Sequence, residues 1–383
     1  MNFLDSQSLA LHHKCRGKIE VSPKVSLATK KDLSLAYTPG VAAVSKAIAK
    51  KKDNSYLYTM KSNTVAVVTD GSAVLGLGDV GPEAAIPVME GKCAIFKEFA
   101  KIDAFPICIK TQESSEIISI IKNISPIFGG INLEDISAPR CFEIEKKLSR
   151  ALKIPVFHDD QHGTAIVVLA GLANALKVVK KEIAKVKIII NGAGAAGYAI
   201  TKLLHSAGAR NMTILDSKGV ISRKRDYLYP HKKELIKILA EEPSEGLLKN
   251  AIKKADVFIG VSKGKILKAR DIHKMNKKAI VFALANPEPE ITPILAQKNG
   301  VKVIATGRSD FPNQLNNALV FPGFFRGLLD AKITKVTEKM KLGAAYALAS
   351  LVKKPTPLNI IPSIFNKRVV SEIADAVIKS KRL

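Results

Sequence analysis

The stretch VKIIINGAGAAGYAITKLLHSAGARNMTILD, residues 186–216, decides the fold of this chain. Its apolar start predicts a strand over Val186–Asn191, its middle a helix over Ala195–Ala207, and its end a second strand over Asn211–Asp216. Further short apolar segments continue the alternation as far as Thr306. Strands of this kind separated by helices are typical of a parallel sheet covered on both faces. The second half of the chain is therefore expected to be a Rossmann-type α/β domain.

A glycine-rich turn joins the first of these strands to the helix. Glycines at the turn allow a tight bend and let the backbone approach a pyrophosphate at the start of a helix. Asp216 ends the next strand 19 residues after the last glycine, where an acid can bind ribose hydroxyls. The predicted dinucleotide site comprises Gly192, Ala193, Gly194, Ala195, Ala196, Gly197 and Asp216.

The same aspartate bears on the choice between the two nicotinamide dinucleotides. A carboxylate at Asp216 repels the 2′-phosphate of NADP and so favours NAD. Four basic residues follow closely and could reverse this preference: Lys218, Arg223, Lys224 and Arg225. The expected cofactor is NAD or NADP, with NAD preferred.

A second match to the glycine motif, GLGDVG at 76–81, is expected to be a packing loop. It has Asp79 where a phosphate would approach, and Pro82 follows immediately. No strand that ends in an acid follows at the required distance. Glycines here would let two backbone segments pack closely, and the loop could border a substrate pocket.

Two acidic runs each follow an apolar segment. The first is Asn132–Asp135 (NLED), and the second begins at His158 (HDDQHGTA). Carboxylates at strand ends could converge on Mg²⁺ or Mn²⁺, which prefer hard oxygen ligands. Glu134, Asp135 and either Asp159 or Asp160 would then hold one cation, and the other aspartate would orient a base. The alternative is two solvated turns, because Asp favours turns.

Candidate proton-transfer groups are less distinctive. Lys92 lies among apolar residues near a helix start, where burial would lower its pKa, although one lysine among 60 basic residues is unremarkable. Tyr37 in YTPGV is either functional or a packing residue. His158 and His162 flank the acidic pair and could be ligands, but a hard cation does not favour imidazole.

Three asparagines follow predicted strands or loops. Asn286 ends the strand IVFALAN, and Asn316 and Asn317 end the loop GRSDFPNQLNN. Their amides could donate to a substrate carboxylate, or they could simply form turns.

The remaining helices follow from apolar periodicity. Helices are predicted at Glu90–Ala100, Gly163–Lys181, Glu245–Ala255, Gly323–Lys353 and Asn359–Lys379.

Composition limits the classes of function. The chain has 383 residues and a formal net charge of +26, but its lysines are scattered and few aromatic residues lie among them, so no nucleic-acid partner is expected. The dispersed cysteines are expected to be reduced thiols of a cytoplasmic protein: Cys15, Cys93, Cys108 and Cys141. No signal peptide or transmembrane helix is expected.

Taken together, these motifs resemble the malic enzymes, in their compact bacterial form. The matching runs appear in family order: YTPGVA (37–42), VLGLGDVGPEAAIPVMEGK (74–92), NLEDISAPRCFEIE (132–145), FHDDQHGTA (157–165), NGAGAAG (191–197), FALANP (282–287) and GRSDFPNQLNNALVFPG (307–323). The resemblance implies oxidative decarboxylation of (S)-malate to pyruvate and CO₂ with reduction of NAD(P).

The resemblance also implies a role for each matching residue. Glu134, Asp135 and Asp160 match the ligands of Mg²⁺ or Mn²⁺. Lys92 matches the base that accepts the C2 hydroxyl proton, and Asp159 matches the residue that orients this lysine. Tyr37 matches the acid that protonates the enolate. Asn286 and Asn317 match asparagines that bind substrate, and Asn286 also borders the cofactor.

Family architecture implies a substrate and metal domain (1–155), a Rossmann domain (156–322) and C-terminal helices (323–383) that pack back on the first domain, in a homodimer or larger homo-oligomer. Ser72-Ala73 stand where larger relatives have an arginine, so the cation that binds the substrate carboxylate is not identified. Leu383 ends either a natural short form or a chain without the phosphotransacetylase-like region of many relatives. The alternative is a hydroxy- or amino-acid dehydrogenase that does not decarboxylate.

Overall fold

The computed structural model describes residues 3–74, 76–239 and 246–381. Its first sheet has four parallel strands in the order β2-β1-β3-β4. They are β1 (Thr64–Thr69), β2 (Asp103–Cys108), β3 (Gly130–Leu133) and β4 (Val156–His158). β1 and β3 are fully buried, as expected for central strands covered on both faces.

Helices cover both faces of this sheet. α5 (Gly81–Ala100) packs on one face through Met89, Cys93 and Phe96, within the largest core cluster. α6 (Ser114–Ile124) and α7 (Arg140–Ala151) cover the other face and form a separate core. Only the second half of α5 was predicted as a helix; the observed helix begins at Gly81 and has Pro82 in its first turn, where a missing N–H costs nothing.

The N-terminal segment has little core of its own. It consists of α1 (Phe3–Cys15), α2 (Lys30–Ala36), α3 (Val41–Lys50) and α4 (Ser55–Tyr58), and none of these helices has a buried residue. Large apolar side chains are exposed along it, including Phe3, Leu9, Val21 and Leu35. The apolar surface of this segment is therefore largely exposed in the single chain.

The second sheet has six strands in the order β10-β9-β8-β5-β6-β7 and is parallel except for the edge strand β7. The predicted α/β class and dinucleotide-binding topology are confirmed. The strands are β5 (Lys187–Asn191), β6 (Asn211–Asp216), β7 (Gly219–Val220), β8 (Val257–Gly260), β9 (Ile280–Ala283) and β10 (Val303–Thr306).

Short helices connect these strands. They are α9 (Ala195–Ser206), α10 (Pro230–Ile236), α11 (Leu248–Ala251), α12 (Ala269–Ile272) and α13 (Pro293–Lys298). The helix predicted at Glu245–Ala255 is wrong in extent, because only α11 is helical there and Glu245 lies outside the described residues.

The helix α8 (Asp159–Val179) connects the two sheets and lies in the core. It begins four residues before the predicted start at Gly163, so Asp159 and Asp160 form its first turn rather than a loop. α8 is long and apolar enough to cross a membrane, but 72% of its apolar window is buried inside the protein, as in the core helix of a folded domain.

Three described helices follow the second sheet, and the first of them packs back on α5 and β3. They are α14 (Phe321–Asp330), α15 (Glu338–Ser350) and α16 (Arg368–Lys381). The single helix predicted at Gly323–Lys353 is wrong, because a turn that includes Lys332 at φ 47° separates α14 from α15. On α14, Phe325 lies 5.3 Å from the ring of Phe96 and 5.7 Å from that of Phe157, measured between ring centroids.

This aromatic contact yields a stability prediction. Phe325→Ala removes a fully buried ring that joins α14 to α5 and β4, and is expected to lower the free energy of unfolding by about 3–5 kcal/mol. Phe365→Ala is the control, because Phe365 is 79% exposed and should change stability little. Urea unfolding of both variants measures the difference, and equal stability of the two would contradict the packing described.

Candidate active site

The strand register brings the two acidic runs together. β3 and β4 are parallel neighbours, and their last residues, Leu133 and His158, are paired in the sheet. The residues that follow each strand therefore emerge side by side at the same edge. Glu134 and Asp135 continue from β3, while Asp159 and Asp160 begin α8.

Three of these carboxylates form a compact cluster. Glu134, Asp135 and Asp160 each offer one oxygen, and these oxygens all lie within 4.8 Å of one another. Asp135 adopts a left-handed backbone conformation (φ 51°), and its N–H donates to Oδ2 of Asp160 over 2.8 Å. Glu134 and Asp135 are buried and Asp160 is partly exposed, so the cluster opens toward solvent on one side.

Lys92 is the counter-charge of this cluster. Its Nζ lies 2.5 Å from Oε1 of Glu134, forms a hydrogen-bonded ion pair with Asp159, and sits 4.5 Å from the ring centroid of Phe321. The sequence predicted a lowered pKa for Lys92, and this was wrong. Burial does lower it, but the carboxylates of Asp159, Glu134 and Asp160 outweigh burial, and the pKa is raised above its usual value.

The carboxylates themselves are held in an unfavourable environment. Burial is the main cause that raises the pKa of both Glu134 and Asp159, and Lys92 only partly opposes it. The ammonium group of Lys92 pairs with two of the four carboxylates, and Oδ1 of Asp159 has no hydrogen-bond partner among the described residues. The cluster therefore has excess negative charge in a region of low polarity.

Asn317 lies beside this cluster. Gly163, one turn into α8, contacts both Asp159 and Asn317, and a Cβ there would collide with the carboxylate of Asp159 and approach Cβ of Asn317 to 3.1 Å. Asn316 instead uses its Oδ1 to cap the short 3-10 helix Asn317–Leu319, accepting from the N–H of Ala318.

Asn286 follows β9 and is exposed. The glycine loop 76–81 packs against it, since a Cβ on Gly76 would collide with the carbonyl of Asn286. This loop thus packs one backbone against another at the boundary between the two sheets.

Two of the predicted groups, Tyr37 and His162, lie apart from the cluster, whereas His158 lies next to it. The side chain of Tyr37 is 67% exposed and has no hydrogen-bond partner within the described ranges. His162 bonds Glu145 through Nε2 at 2.8 Å, and Nδ1 of the buried His158 lies 3.8 Å from Asp160.

The glycine turn forms a separate pocket of about 640 Å³, lined also by Asp216, Tyr229 and Lys232. Gly192 has φ 125°, and a Cβ on Gly197 would collide with the carbonyl of Gly192, so both glycines are required by the backbone. Within the part of the chain that the structure describes, no atom lies within 4 Å of a Cβ built on Gly194, which faces open space at the start of α9. The turn therefore has the shape required for a dinucleotide phosphate.

Asp216 at the rim of this pocket is not a free carboxylate. It accepts from Arg225 at 3.0 Å, from Lys232 at 2.7 Å and from the N–H of Lys218 at 2.9 Å, and these bonds lower its pKa although burial opposes them. Lys232 was not identified from the sequence, because it lies 16 residues beyond Asp216 and only the placement of α10 brings it there.

Two protein family models match this chain. Residues 16–116 match the family model of the malic enzyme N-terminal domain, and residues 161–382 match that of the malic enzyme NAD-binding domain.

Two bacterial relatives and one solved structure are similar over nearly the whole chain. An NAD-dependent malic enzyme of Geobacillus stearothermophilus is 56% identical over 95% of this chain and 76% of its own. A bifunctional malic/malolactic enzyme of Bacillus subtilis is 51% identical over 98% of this chain and 93% of its own length. The crystal structure of an NAD-dependent malic enzyme from Thermotoga maritima is 49% identical, covers 97% of this chain and 98% of its own, and superposes with a TM-score of 0.94. The chain belongs to the malic enzyme family.

Proposed function

We propose that the chain catalyses the oxidative decarboxylation of (S)-malate to pyruvate and CO₂, with reduction of NAD(P), in the cytoplasm. The observation that carries this proposal is the position of Lys92, whose Nζ contacts Glu134 and Asp159 at the edge of a three-carboxylate cluster. A proton acceptor beside a cluster of hard oxygen donors suits a hydroxy acid that is oxidised and then decarboxylated.

The carboxylate cluster fits a divalent cation. Glu134, Asp135 and Asp160 supply three convergent oxygens, which suit Mg²⁺ or Mn²⁺ with water or substrate as further ligands. Such a cation would polarise the C2 oxygen of malate, stabilise an enolate, and offset the negative charge that raises the pKa of Lys92. The nicotinamide of a dinucleotide held at Gly192–Gly197 would supply the hydride acceptor.

The protein's own groups move the protons. Lys92, in its neutral form, accepts the C2 hydroxyl proton of malate as the C2 hydride leaves. Asp159 holds the ammonium group of Lys92 in place through its hydrogen bond. When the C3–C4 bond breaks and CO₂ departs, the electron pair remains on the enolate, and Tyr37 donates a proton to C3. Asn286 and Asn317 are proposed to orient the substrate with their amides.

Tyr37 needs another element to complete its role, because its side chain is exposed and makes no hydrogen bond to the cluster. We infer that a second copy of the chain covers the apolar surface of α1–α3 and thereby encloses Tyr37. Exposed side chains on this segment include Leu33 (51%), Leu35 (66%) and Val21 (87%), an arrangement that suits a homodimer or larger homo-oligomer.

Leu35→Asp tests this interface. A charge beside Tyr37 should weaken association and reduce malate oxidation together, because the partner surface is apolar. Ile294→Asp is the matched control, since Ile294 on α13 is 62% exposed but lies outside the N-terminal segment. Sedimentation velocity gives the mass, and a wild-type chain that sediments as a monomer at assay concentrations would refute the interface.

The cofactor preference is proposed to be NAD, with NADP as the weaker substrate. Asp216 remains an obstacle to a 2′-phosphate, but Arg225 and Lys232 compensate its charge.

Asp216→Ser should free both cations to bind the 2′-phosphate of NADP. The ratio of kcat/KM for NADP to that for NAD should then rise by at least about tenfold, the effect of roughly 1.4 kcal/mol. Asp226→Ser, an exposed neighbour, serves as the control; an unchanged ratio in both variants would remove Asp216 from cofactor selection.

Product analysis tests the reaction itself. Wild-type protein with malate, Mn²⁺ and either dinucleotide should yield pyruvate, CO₂ and reduced cofactor in equal amounts. Reduced cofactor without CO₂, independent of metal, would instead identify a dehydrogenase that does not decarboxylate.

Lys92→Met should abolish turnover while Mn²⁺ still binds, because the metal ligands remain. Lys97→Met on the same helix, 61% exposed, should retain wild-type turnover; turnover at the wild-type rate in Lys92→Met would refute the role of Lys92.

A further inference from the structure

Glu145 on α7 faces the first turn of α8. Its Oε1 accepts from the backbone N–H of His158 at 3.0 Å and pairs with Nε2 of His162 at 2.8 Å, while its Oε2 accepts from Nε2 of Gln161 at 3.1 Å. All three partners surround Asp159 and Asp160 in sequence. One carboxylate therefore fixes the backbone and two side chains at the start of the helix that carries both aspartates.

The start of α8 has no cap of its own. His158 occupies the N-cap position, and its side chain makes no capping hydrogen bond to any described residue. A helix of 21 residues leaves unpaired N–H groups and a partial positive charge at its N-terminus. The carboxylate of Glu145 supplies an acceptor and a negative charge at this end.

The position of Glu145 in the chain lets its contacts connect the two acidic runs. α7 begins at Arg140, five residues after Asp135, so Glu145 belongs to the segment that follows the first acidic run. Its contacts lie in the second run. The pairing of β3 with β4 ends at Leu133 and His158. Beyond that pair, the side chain of Glu145 helps to hold the two acidic runs in register.

We propose that Glu145 is a positioning residue that sets the separation of Asp159 and Asp160 from Glu134 and Asp135. The inference rests on the proposed metal role of the cluster. Glu145 acts through the start of α8 and does not itself touch the cluster oxygens. Loss of its carboxylate should let the first turn of α8 shift, which would weaken the cation site and displace Asp159 from Lys92.

The surroundings of Glu145 allow a test by chemical rescue. Glu145 borders a cavity of about 690 Å³, which is also lined by His162, Tyr198 and Lys341. Removing its side chain leaves a space that a small carboxylate can enter from this cavity. Formate or acetate could then accept the bonds that Glu145 accepts in the wild-type protein.

The experiment compares Glu145→Ala and Glu145→Gln with Glu143→Gln in the full chain. Glu143 lies on the same helix, is 53% exposed and pairs with Lys147 on the protein surface, so its variant should match the wild type. In Glu145→Ala, Mn²⁺ affinity measured without malate or dinucleotide and kcat are each expected to fall about 10–100-fold, the usual effect of losing an outer partner of a metal site. Glu145→Gln should fall less, and NAD affinity should remain at its wild-type value in all variants.

Formate should restore part of both the Mn²⁺ affinity and kcat of Glu145→Ala and should not improve the wild type. A merely structural role predicts a lower melting temperature and weaker NAD binding without rescue, and that result would overturn the proposal, as would wild-type Mn²⁺ affinity in Glu145→Ala. If the wild type binds Mn²⁺ and Glu145→Ala binds it weakly while neither oxidises malate, the proposed reaction fails and the positioning role stands. A wild type that binds no Mn²⁺ refutes both.

Discussion

The structure depends on the compensation of negative charge at the ends of β3 and β4. Two parallel neighbours deliver four carboxylates to one edge, and a single buried ammonium, that of Lys92, pairs with two of them. Buried ions are costly unless they are paired and hydrogen-bonded. The raised pKa values of Glu134 and Asp159 express this cost. A divalent cation shared by Glu134, Asp135 and Asp160 would balance the remaining charge.

This constraint explains several features of the surrounding fold. Gly163 has no side chain because one would collide with Asp159, and the side-chain amide of Asn132 donates to Oε2 of Glu134 at 3.0 Å. α14 closes the site from the C-terminal part of the chain, with Phe321 against Lys92. The site is thus assembled from α5, the ends of β3 and β4, the start of α8, and α14. The proposed reaction requires that these parts stay together.

The sequence predicted what is local, and it missed what depends on distant contacts. The turn at Gly192–Gly197 and the strand that ends in Asp216 could be identified because each element follows the previous one in the chain. The pKa of Lys92 could not be predicted, because its direction depends on carboxylates 42 and 67 residues away (134 − 92 and 159 − 92). For the same reason Lys232 and Glu145 were missed, although each binds a residue that the sequence did single out. Helix starts were misplaced at α5 and α8, where proline or aspartate suggested a loop but also suits a first helical turn.

The most direct test of this account is a titration of the wild-type chain with Mn²⁺, without malate or dinucleotide, followed by the electron paramagnetic resonance signal of free Mn²⁺. The account predicts saturable binding of one Mn²⁺ per chain, displaced by excess Mg²⁺ and lost in Asp160→Asn but retained in Asp330→Asn, a change at an exposed surface pair. Unsaturable binding, or one-site binding that is unchanged in Asp160→Asn, would contradict the proposal that these carboxylates form a cation site.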